Sequence, residues 1–245
     1  MSEGMHSPLS QFEIKSLLPL HISGFDLSFT NASLFMLTAV VMSFMILTLP
    51  IRSMSVVPGR WQSIAEILYY MVFNTIKEVT GKEGLKYFPL VFTLFMFVLM
   101  CNLLGMMPYS FTATSHIIVT FALAIIVFFA VTIIGFIRHG WHFLSLFAPS
   151  GMSIFIVPFF VVIELLTYLA RPITLSIRLA ANMMAGHILL KVLAGFVIMM
   201  GAVWGFIPVP FIVVFTGVEI FVAILQAYIF TILTCVYLND AVNLH

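Results

Sequence analysis

Four polar residues are spaced along one apolar stretch so that they could act together inside a membrane. Glu164, Arg171 and Arg178 follow one another at intervals of seven residues, and Asn182 comes four residues later. At about 100° per residue, the three charged side chains fall within about 40° of one another on one helix face. A charge in the middle of a bilayer costs about 2.5–3.5 kcal/mol on insertion scales. This face is therefore expected to meet protein or water rather than lipid.

Arg178 has no acidic residue within one helical turn in the sequence. Its countercharge must then come from another part of the fold or from another subunit. An intramembrane charge without a local partner is by default a functional candidate. Glu164 and Arg171 have an equally good structural explanation, because they can form an internal ion pair or Arg171 can extend its charge to the interface.

The last apolar stretch carries a second polar stripe. Glu219 and Gln226 are seven residues apart, and Tyr237 returns to nearly the direction of Glu219 eighteen residues on. His187 follows Arg178 by nine residues, so it is expected to point away from the arginine face. An acid and a histidine such as Glu219 and His187 can exchange a proton near neutral pH. The alternative for this pair is a static hydrogen bond.

The composition of the chain is that of a membrane protein. Of 245 residues, 62% are hydrophobic and 8% are charged, and the mean hydropathy is +1.19. Such a chain needs lipid as its solvent. The net charge is +1 and no basic run occurs, so nucleic acid is not expected as a partner. Cys101 and Cys235 lie in apolar runs without metal-ligand spacing, which predicts neither a disulfide nor a metal site.

The pattern predicts an all-α integral membrane protein with a single membrane domain, 1–245. Its predicted parts are a polar N-terminal segment, 1–32; a first transmembrane helix and an interfacial amphipathic helix, 33–87; a transmembrane helical hairpin, 88–138; and two long, strongly tilted membrane helices, 152–240. Pro172 is expected either to kink the first long helix or to mark an irregular turn. No secretory signal is expected at the N-terminus.

Basic residues near the ends of the predicted spans fall on one side of the membrane. The loop 108–116 has no Lys or Arg, whereas the opposite ends carry Arg52, Arg60, Lys77, Lys82, Lys86 and Arg138. The positive-inside rule then predicts an outside N-terminus and an inside C-terminus, on the cytoplasmic or matrix side.

One part of the polar stretch resembles a known signature. Residues 171–187 read RPITLSIRLAANMMAGH. This segment resembles subunit a of F-type ATP synthases, in which an Arg-Leu core is followed by Asn and then by Ala-Gly-His or Ala-Gly-Glu. Residues 101–120 and 219–228 resemble the same family. The resemblance extends from residue 88 to the C-terminus, with weaker support before it.

The resemblance implies roles for the central polar residues. Arg178 corresponds to the essential stator arginine that faces a rotating ring of c subunits, with Asn182 and Gln226 beside it. Glu219 and His187 correspond to an exchanged acid and histidine pair that lines one of two aqueous half-channels.

The resemblance also implies positions for the remaining candidates. Glu164 and Arg171 match residues associated with the half-channel on the other side. His116 falls where some relatives carry an acid near the entry loop, so here the chain departs from the family pattern.

As a whole, the resemblance implies a proton-translocating stator subunit that couples proton flow to ring rotation and ATP synthesis. The implied partners are the c-subunit ring, the b-type peripheral stalk, the other ATP synthase subunits, membrane lipid and protons. No cofactor and no catalytic site are expected, and the sequence has no phosphate-binding GxxxxGK[ST] motif. The implied location is an energy-transducing inner membrane, either bacterial or mitochondrial.

Three other classes of protein compete with this interpretation. A secondary transporter would also place charges and broken helices in the membrane, but no internal repeat is visible. A structural scaffold could hold a static polar network. That role would not explain why polar residues are kept at positions where insertion into the membrane is costly. An intramembrane protease would need a motif such as GxSxG or HExxH, and neither occurs in the sequence.

Overall fold

Helices dominate the part of the chain that the structure describes. A computed structural model describes residues 14, 16–18, 21–22, 25–26, 28–51, 55–107, 110–147 and 157–243. Its helices are α1 (Asn31–Ile51), α2 (Arg60–Val79), α3 (Gly81–Gly84), α4 (Phe88–Gly105), α5 (Ile117–His139), α6 (Val157–Met199), α7 (Gly201–Trp204) and α8 (Pro208–Val242). Shorter 3-10 turns span Leu85–Tyr87, Ala113–Ser115 and Gly140–Phe147. The predicted all-α class is confirmed.

The N-terminal segment contains short strands. Strand β1 (Ser16–Leu18) pairs antiparallel with β4 (Phe29–Thr30), and β2 (His21–Ile22) pairs antiparallel with β3 (Phe25–Asp26). The sequence predicted only a polar segment here, because strands of two or three residues are too short to show an alternating pattern.

Five helices of the described residues are long and apolar enough to cross a membrane. They span Asn31–Pro50, Gly81–Gly105, Ile117–Leu144, Val157–Met199 and Pro208–Val242. The amphipathic helix α2 is not among them, because it carries charged residues along its length. A multi-pass membrane protein is therefore confirmed, whereas the interfacial position of α2 stays a prediction.

The exposed surface supports the same conclusion. Large apolar side chains lie exposed along α5, and among them Ile118 and Ile137 are 77% and 82% exposed. In α8, Val213 and Phe221 are 66% and 61% exposed. Exposed apolar surface on this scale is unfavourable in water and is satisfied by lipid or by neighbouring membrane helices.

The last two membrane helices are much longer than a bilayer core is thick. Helix α6 has 43 residues and α8 has 35, which at 1.5 Å per residue corresponds to roughly 65 Å and 53 Å. The hydrocarbon core is about 30 Å thick, which favours tilt. Pro172 lies inside α6, which continues through it, so the expected irregular turn is wrong. Gly201 follows α6 with a φ of 69°, a conformation that glycine adopts without strain.

Contacts divide the chain into two compact units. The first comprises Met1–Met54, Met96–His116 and Leu179–Ala227. The second comprises Ser55–Phe95, Ile117–Arg178 and Tyr228–His245. Apolar side chains fill each unit, including Cys101, Met183 and Ala223 in the first and Ile76, Phe95, Phe230 and Leu238 in the second. Each unit also buries polar side chains, which form the candidate functional groups.

Candidate functional site

A buried acid and a buried histidine meet in the first unit. His187 of α6 and Glu219 of α8 are each 7% exposed. Nδ1 of His187 lies 3.5 Å from Oε1 of Glu219, and neither oxygen of Glu219 has a hydrogen-bond partner among the described residues. A carboxyl group that is not fixed by donors and lies this close to an imidazole is suited to give and accept a proton. The structure brings together the two residues predicted to form a pair.

A glycine makes room for the carboxylate of this pair. A Cβ atom placed on Gly186 would lie 2.5 Å from Oε1 of Glu219 and 2.8 Å from its carboxyl carbon. Real Cβ atoms essentially never come so close to other heavy atoms. The missing side chain at Gly186 therefore lets α8 place its acid directly against α6, one residue before His187.

A polar segment between α4 and α5 contacts the other side of the imidazole. Oγ1 of Thr112 lies 2.8 Å from Nε2 of His187. Ser110, Thr114 and Ser115 of the same segment are also buried. The imidazole is therefore held between a hydroxyl group on one nitrogen and a carboxyl group on the other.

Two amide side chains form a second contact between α6 and α8 in this unit. Nδ2 of Asn182 donates a hydrogen bond of 2.8 Å to Oε1 of Gln226. Asn182 is exposed, whereas Gln226 is 1% exposed. The amide contact thus connects the surface of α6 with the interior of the unit.

A third amide connects α4 to α8. Asn102 is completely buried and its Nδ2 donates a hydrogen bond of 3.0 Å to the backbone carbonyl of Ala223. Ala223 lies between Glu219 and Gln226 in α8. This bond therefore fixes the backbone of α8 between its two polar side chains.

Helix α6 separates its polar residues onto different faces. Arg178 is exposed, as are Ala181, Asn182 and Ala185, which share its direction around the helix. His187 is buried on the opposite side, as the nine-residue spacing predicted. Among the residues that the structure describes, Arg178 forms no ion pair.

His116 lies between the polar segment and α5. Its ring stacks on Phe111 with centroids 4.9 Å apart. Partial burial lowers the pKa of His116 below its usual value of 6.5, because the interior disfavours the charged imidazolium. Burial therefore favours the neutral form of this ring. Its predicted position near an entry loop stays a prediction.

The second unit contains a different charged cluster. Nη1 of Arg171 in α6 lies 2.8 Å from Oδ2 of Asp240 in α8. The guanidinium carbon of Arg171 also lies 5.2 Å from the ring centre of Tyr168 and 5.0 Å from that of Tyr237. Two aromatic rings and a carboxylate therefore stabilise one cation.

This cluster corrects one of the expectations for Glu164 and Arg171. The acidic partner of Arg171 in the structure is Asp240, so an internal pair with Glu164, which the sequence left open as one alternative, is not the pair that the described residues form. Glu164 is partly exposed on α6. Arg171 also borders a cleft between α5, α6 and α8 with about 260 Å³ of empty space, counted out to open solvent. Most of the residues that line this cleft are apolar, and Arg171 is the charged residue among them.

Sequence reasoning missed three residues that the structure places at these clusters. Asp240 stands three residues after Tyr237, but the sequence gave no reason to pair it with an arginine sixty-nine residues away. Asn102 and Thr112 are uncharged, and the sequence distinguishes them only by their position inside or beside an apolar run. Because a buried polar side chain in an apolar segment needs a hydrogen-bond partner, that position was the one sequence feature that could have indicated them.

Comparison with protein families agrees with the geometry. A family model described as ATP synthase A chain matches residues 32–239. The match covers most of the chain and contains all eight residues predicted for the site. The chain belongs to the ATP synthase A chain family, whose members are proton-transporting membrane subunits of the F0 part of ATP synthase.

Proposed function

We propose that this chain is the stator subunit that conducts protons past a ring of c subunits. Its family makes it a multi-pass membrane subunit of the ATP synthase complex. The proposal adds that Arg178 faces the ring and that two aqueous half-channels lead protons to and from it.

The observation that carries the proposal is the exposed Arg178 on a long apolar helix. A cation on a membrane helix is costly in lipid, so this face of α6 is expected to meet water or a polar protein surface in the complex. Ala181 and Ala185 on the same face are small and exposed, which permits close approach of a second helix. A ring of helices that carry carboxyl groups would provide both a polar surface for Arg178 and helices that can pack closely against α6.

The fixed charge of Arg178 determines where each ring carboxyl group releases its proton. A ring carboxyl group that reaches Arg178 is stabilised in its ionised form and releases its proton into one half-channel. It takes up a proton from the other half-channel and passes through lipid in the neutral form, because an isolated carboxylate is costly there. The positive charge of Arg178 also prevents a proton from crossing directly between the two half-channels.

We assign the first half-channel to the buried groups of the first unit. His187 and Glu219 are close enough to hand a proton between them, and Asn182 and Gln226 lead from this buried pair to the exposed side of α6. His116 would lie near the entry to this path. The support is the presence of these two polar contacts between α6 and α8 in one unit.

We assign the second half-channel to the second unit. Arg171, which is paired with Asp240, borders a cleft that opens to the surface, and Glu164 lies two turns of α6 before Arg171. Charged groups within a membrane segment are expected to meet water or protein rather than lipid, and this supports the assignment.

In this proposal the driving force is the membrane potential. A proton that crosses the full potential releases about 2.3 kcal/mol per 100 mV, so several protons in each turn can drive ATP synthesis elsewhere in the complex. The chain itself would hold no nucleotide and no catalytic site. Its N-terminus would lie outside and its C-terminus on the cytoplasmic or matrix side of an energy-transducing inner membrane, in contact with a b-type peripheral stalk.

Disulfide cross-linking tests which face of α6 meets the ring. Cysteines replace Ala181 or Ala185 in the assembled complex, and a second cysteine is placed on the ring helix that carries the ionisable carboxyl group. Ile177→Cys is the matched control, because Ile177 is 47% exposed but points about 100° away from Arg178. The proposal predicts oxidative cross-links from 181 and 185 and few from 177. Equal cross-linking at all three positions, or at 177 alone, would contradict it.

A further inference from the structure

Thr112 contacts the imidazole of His187 and a backbone carbonyl with one hydroxyl group. Its side chain is buried, with 1% exposure. Oγ1 lies 2.8 Å from Nε2 of His187 and 3.2 Å from the carbonyl oxygen of Gly105. Both distances are within hydrogen-bond range, so the single hydroxyl hydrogen determines the direction of each bond.

The carbonyl oxygen can only accept a hydrogen bond, which fixes the direction of the first contact. Gly105 is the last residue of α4, where carbonyl groups have no partner in the helix and need another donor. Ser110 also approaches this carbonyl, at 2.9 Å, and a carbonyl oxygen has two lone pairs, so it can accept from both hydroxyl groups. Both contacts of Thr112 are hydrogen bonds only when its hydroxyl hydrogen is directed to Gly105.

The second contact then has a fixed direction as well. Once the hydrogen of Thr112 points to Gly105, Oγ1 can only accept from His187, so Nε2 must carry a hydrogen. In a neutral imidazole the other nitrogen is then unprotonated. That nitrogen, Nδ1, is the one that lies 3.5 Å from Oε1 of Glu219.

We propose that Thr112 is a positioning residue that holds neutral His187 in the Nε2–H tautomer, so that the Nδ1 lone pair faces Glu219. The inference rests on the proposed function, in which these two residues exchange a proton. In the forward step, the O–H bond of the Glu219 carboxylic acid breaks and an N–H bond forms at Nδ1. The products are a carboxylate and an imidazolium, and the reverse step restores both neutral groups.

The arrangement needs no rearrangement of Thr112 during transfer. Nε2 carries a hydrogen both in this tautomer and in the imidazolium, so its bond to Thr112 persists in both states. Close packing also limits movement of the segment, because a Cβ atom on Gly105 would lie 2.6 Å from Cγ2 of Thr112. A group that stays in place lowers the reorganisation required for each transfer.

Substitutions that keep or remove the hydroxyl group test this role in the whole complex. Thr112→Val keeps the shape but removes the hydroxyl, and Thr112→Ser keeps the hydroxyl. Thr114→Val is the matched control, because Thr114 is buried two residues away and its hydroxyl has no hydrogen-bond partner among the described residues. ATP-driven proton pumping and ATP synthesis are measured in reconstituted vesicles, after subunit content has confirmed intact assembly.

The inference predicts that Thr112→Val lowers both rates about tenfold, while Thr112→Ser and Thr114→Val retain at least about half of them; tenfold corresponds to about 1.4 kcal/mol. Solid-state ¹⁵N spectra of histidine-labelled complex, assigned by difference with His187→Asn, should show a protonated Nε2 in the native chain. They should show a loss of that preference in Thr112→Val. An unchanged tautomer in that variant, or equal losses in both valine variants, would overturn the inference.

Glu219→Ala separates this inference from the proposed function. If Glu219→Ala abolishes pumping and Thr112→Val does not affect it, the proton pair stands and the role of Thr112 is wrong. If Glu219→Ala pumps normally, the proposed path through the first unit is wrong, and the tautomer of His187 has no bearing on transport.

Discussion

At the scale of single residues, the neighbours of each candidate side chain determine which contacts it can make. Glu219 has an imidazole nitrogen at 3.5 Å and a glycine where another residue would place a side chain. Arg171 has a carboxylate and two aromatic rings, whereas Arg178 has an exposed position and small neighbours. Two arginines of one helix therefore have different surroundings: Arg171 is paired within the chain, and we propose that Arg178 is paired with a neighbouring subunit.

Gly186→Ala adds only one methyl group, but it should separate the carboxyl group of Glu219 from the imidazole of His187. The added methyl group would lie 2.5 Å from Oε1 of Glu219, so the carboxyl group must move away from His187. We expect ATP-driven pumping to fall by at least about fivefold, since displacements near 1 Å in reacting groups have large effects on rate. Pumping in vesicles by the assembled complex measures this change.

Gly195→Ala is the matched control for that substitution. Gly195 lies in the same helix, and a Cβ atom there would meet nothing within 4 Å. Alanine is favoured over glycine in a helix by roughly 1 kcal/mol, so this variant should pump normally. Equal losses in the two variants would show that α6 does not tolerate alanine in general, and the steric explanation for Gly186 would fail.

The candidate residues were predictable to different degrees. Arg178, His187, Glu219 and Gln226 stood out because polar side chains in apolar helices are costly, and their spacing also indicated the faces on which they lie. The pairing of Arg171 with Asp240 was not predictable, because it depends on how two distant helical segments meet. The role of Thr112 depends on hydrogen-bond geometry that no sequence pattern records.

At the scale of elements, two helices carry nearly all of the candidate groups. Helix α6 supplies an exposed face with Arg178 and a buried face with His187. Helix α8 supplies Glu219 against His187, Gln226 against Asn182 and Asp240 against Arg171. The sequence predicted the existence and type of the long helices because apolar runs of this length have few alternatives. It did not predict the short N-terminal strands, and it left open whether α6 continues through Pro172, which tertiary packing permits.

The ion pair between Arg171 and Asp240 should stabilise the contact between α6 and α8 within the second unit. Its side chains are 16% and 31% exposed, so breaking the pair with Asp240→Ala should cost about 1–3 kcal/mol of stability. This value is below the cost of breaking a fully buried pair because water partly screens the charges. Dissociation of the chain from the complex on heating, measured for both single variants and the double variant, gives the coupling energy.

The pair between Arg138 and Glu83 provides a comparison at the same distance. Its atoms are also 2.8 Å apart, but its side chains are 29% and 52% exposed. Its coupling energy should be small, because water screens exposed pairs strongly. A coupling energy for Arg171 and Asp240 no larger than that of the surface pair would contradict their proposed role in joining the two helices.

At the scale of the whole molecule, a protein with this composition cannot be understood apart from its membrane. Five helices of the described part of the chain are able to span a bilayer, and large apolar side chains lie exposed along them. Polar groups are gathered into two separate clusters, one in each compact unit. An exposed arginine that forms no ion pair with the described residues fits a subunit that completes its site with another protein. The family match is consistent with that conclusion, because F0 is an assembly of subunits.

The central claim is that Arg178 is the charge that couples ring rotation to proton flow. The most direct test compares native complex with Arg178→Ala in vesicles, measuring potential-driven ATP synthesis and ATP-driven proton pumping. Arg138→Ala serves as the matched control, since it removes an arginine that has no part in the proposed path. We predict that Arg178→Ala abolishes both activities in a fully assembled complex while Arg138→Ala retains them. Near-native coupling in assembled Arg178→Ala complex would contradict the claim.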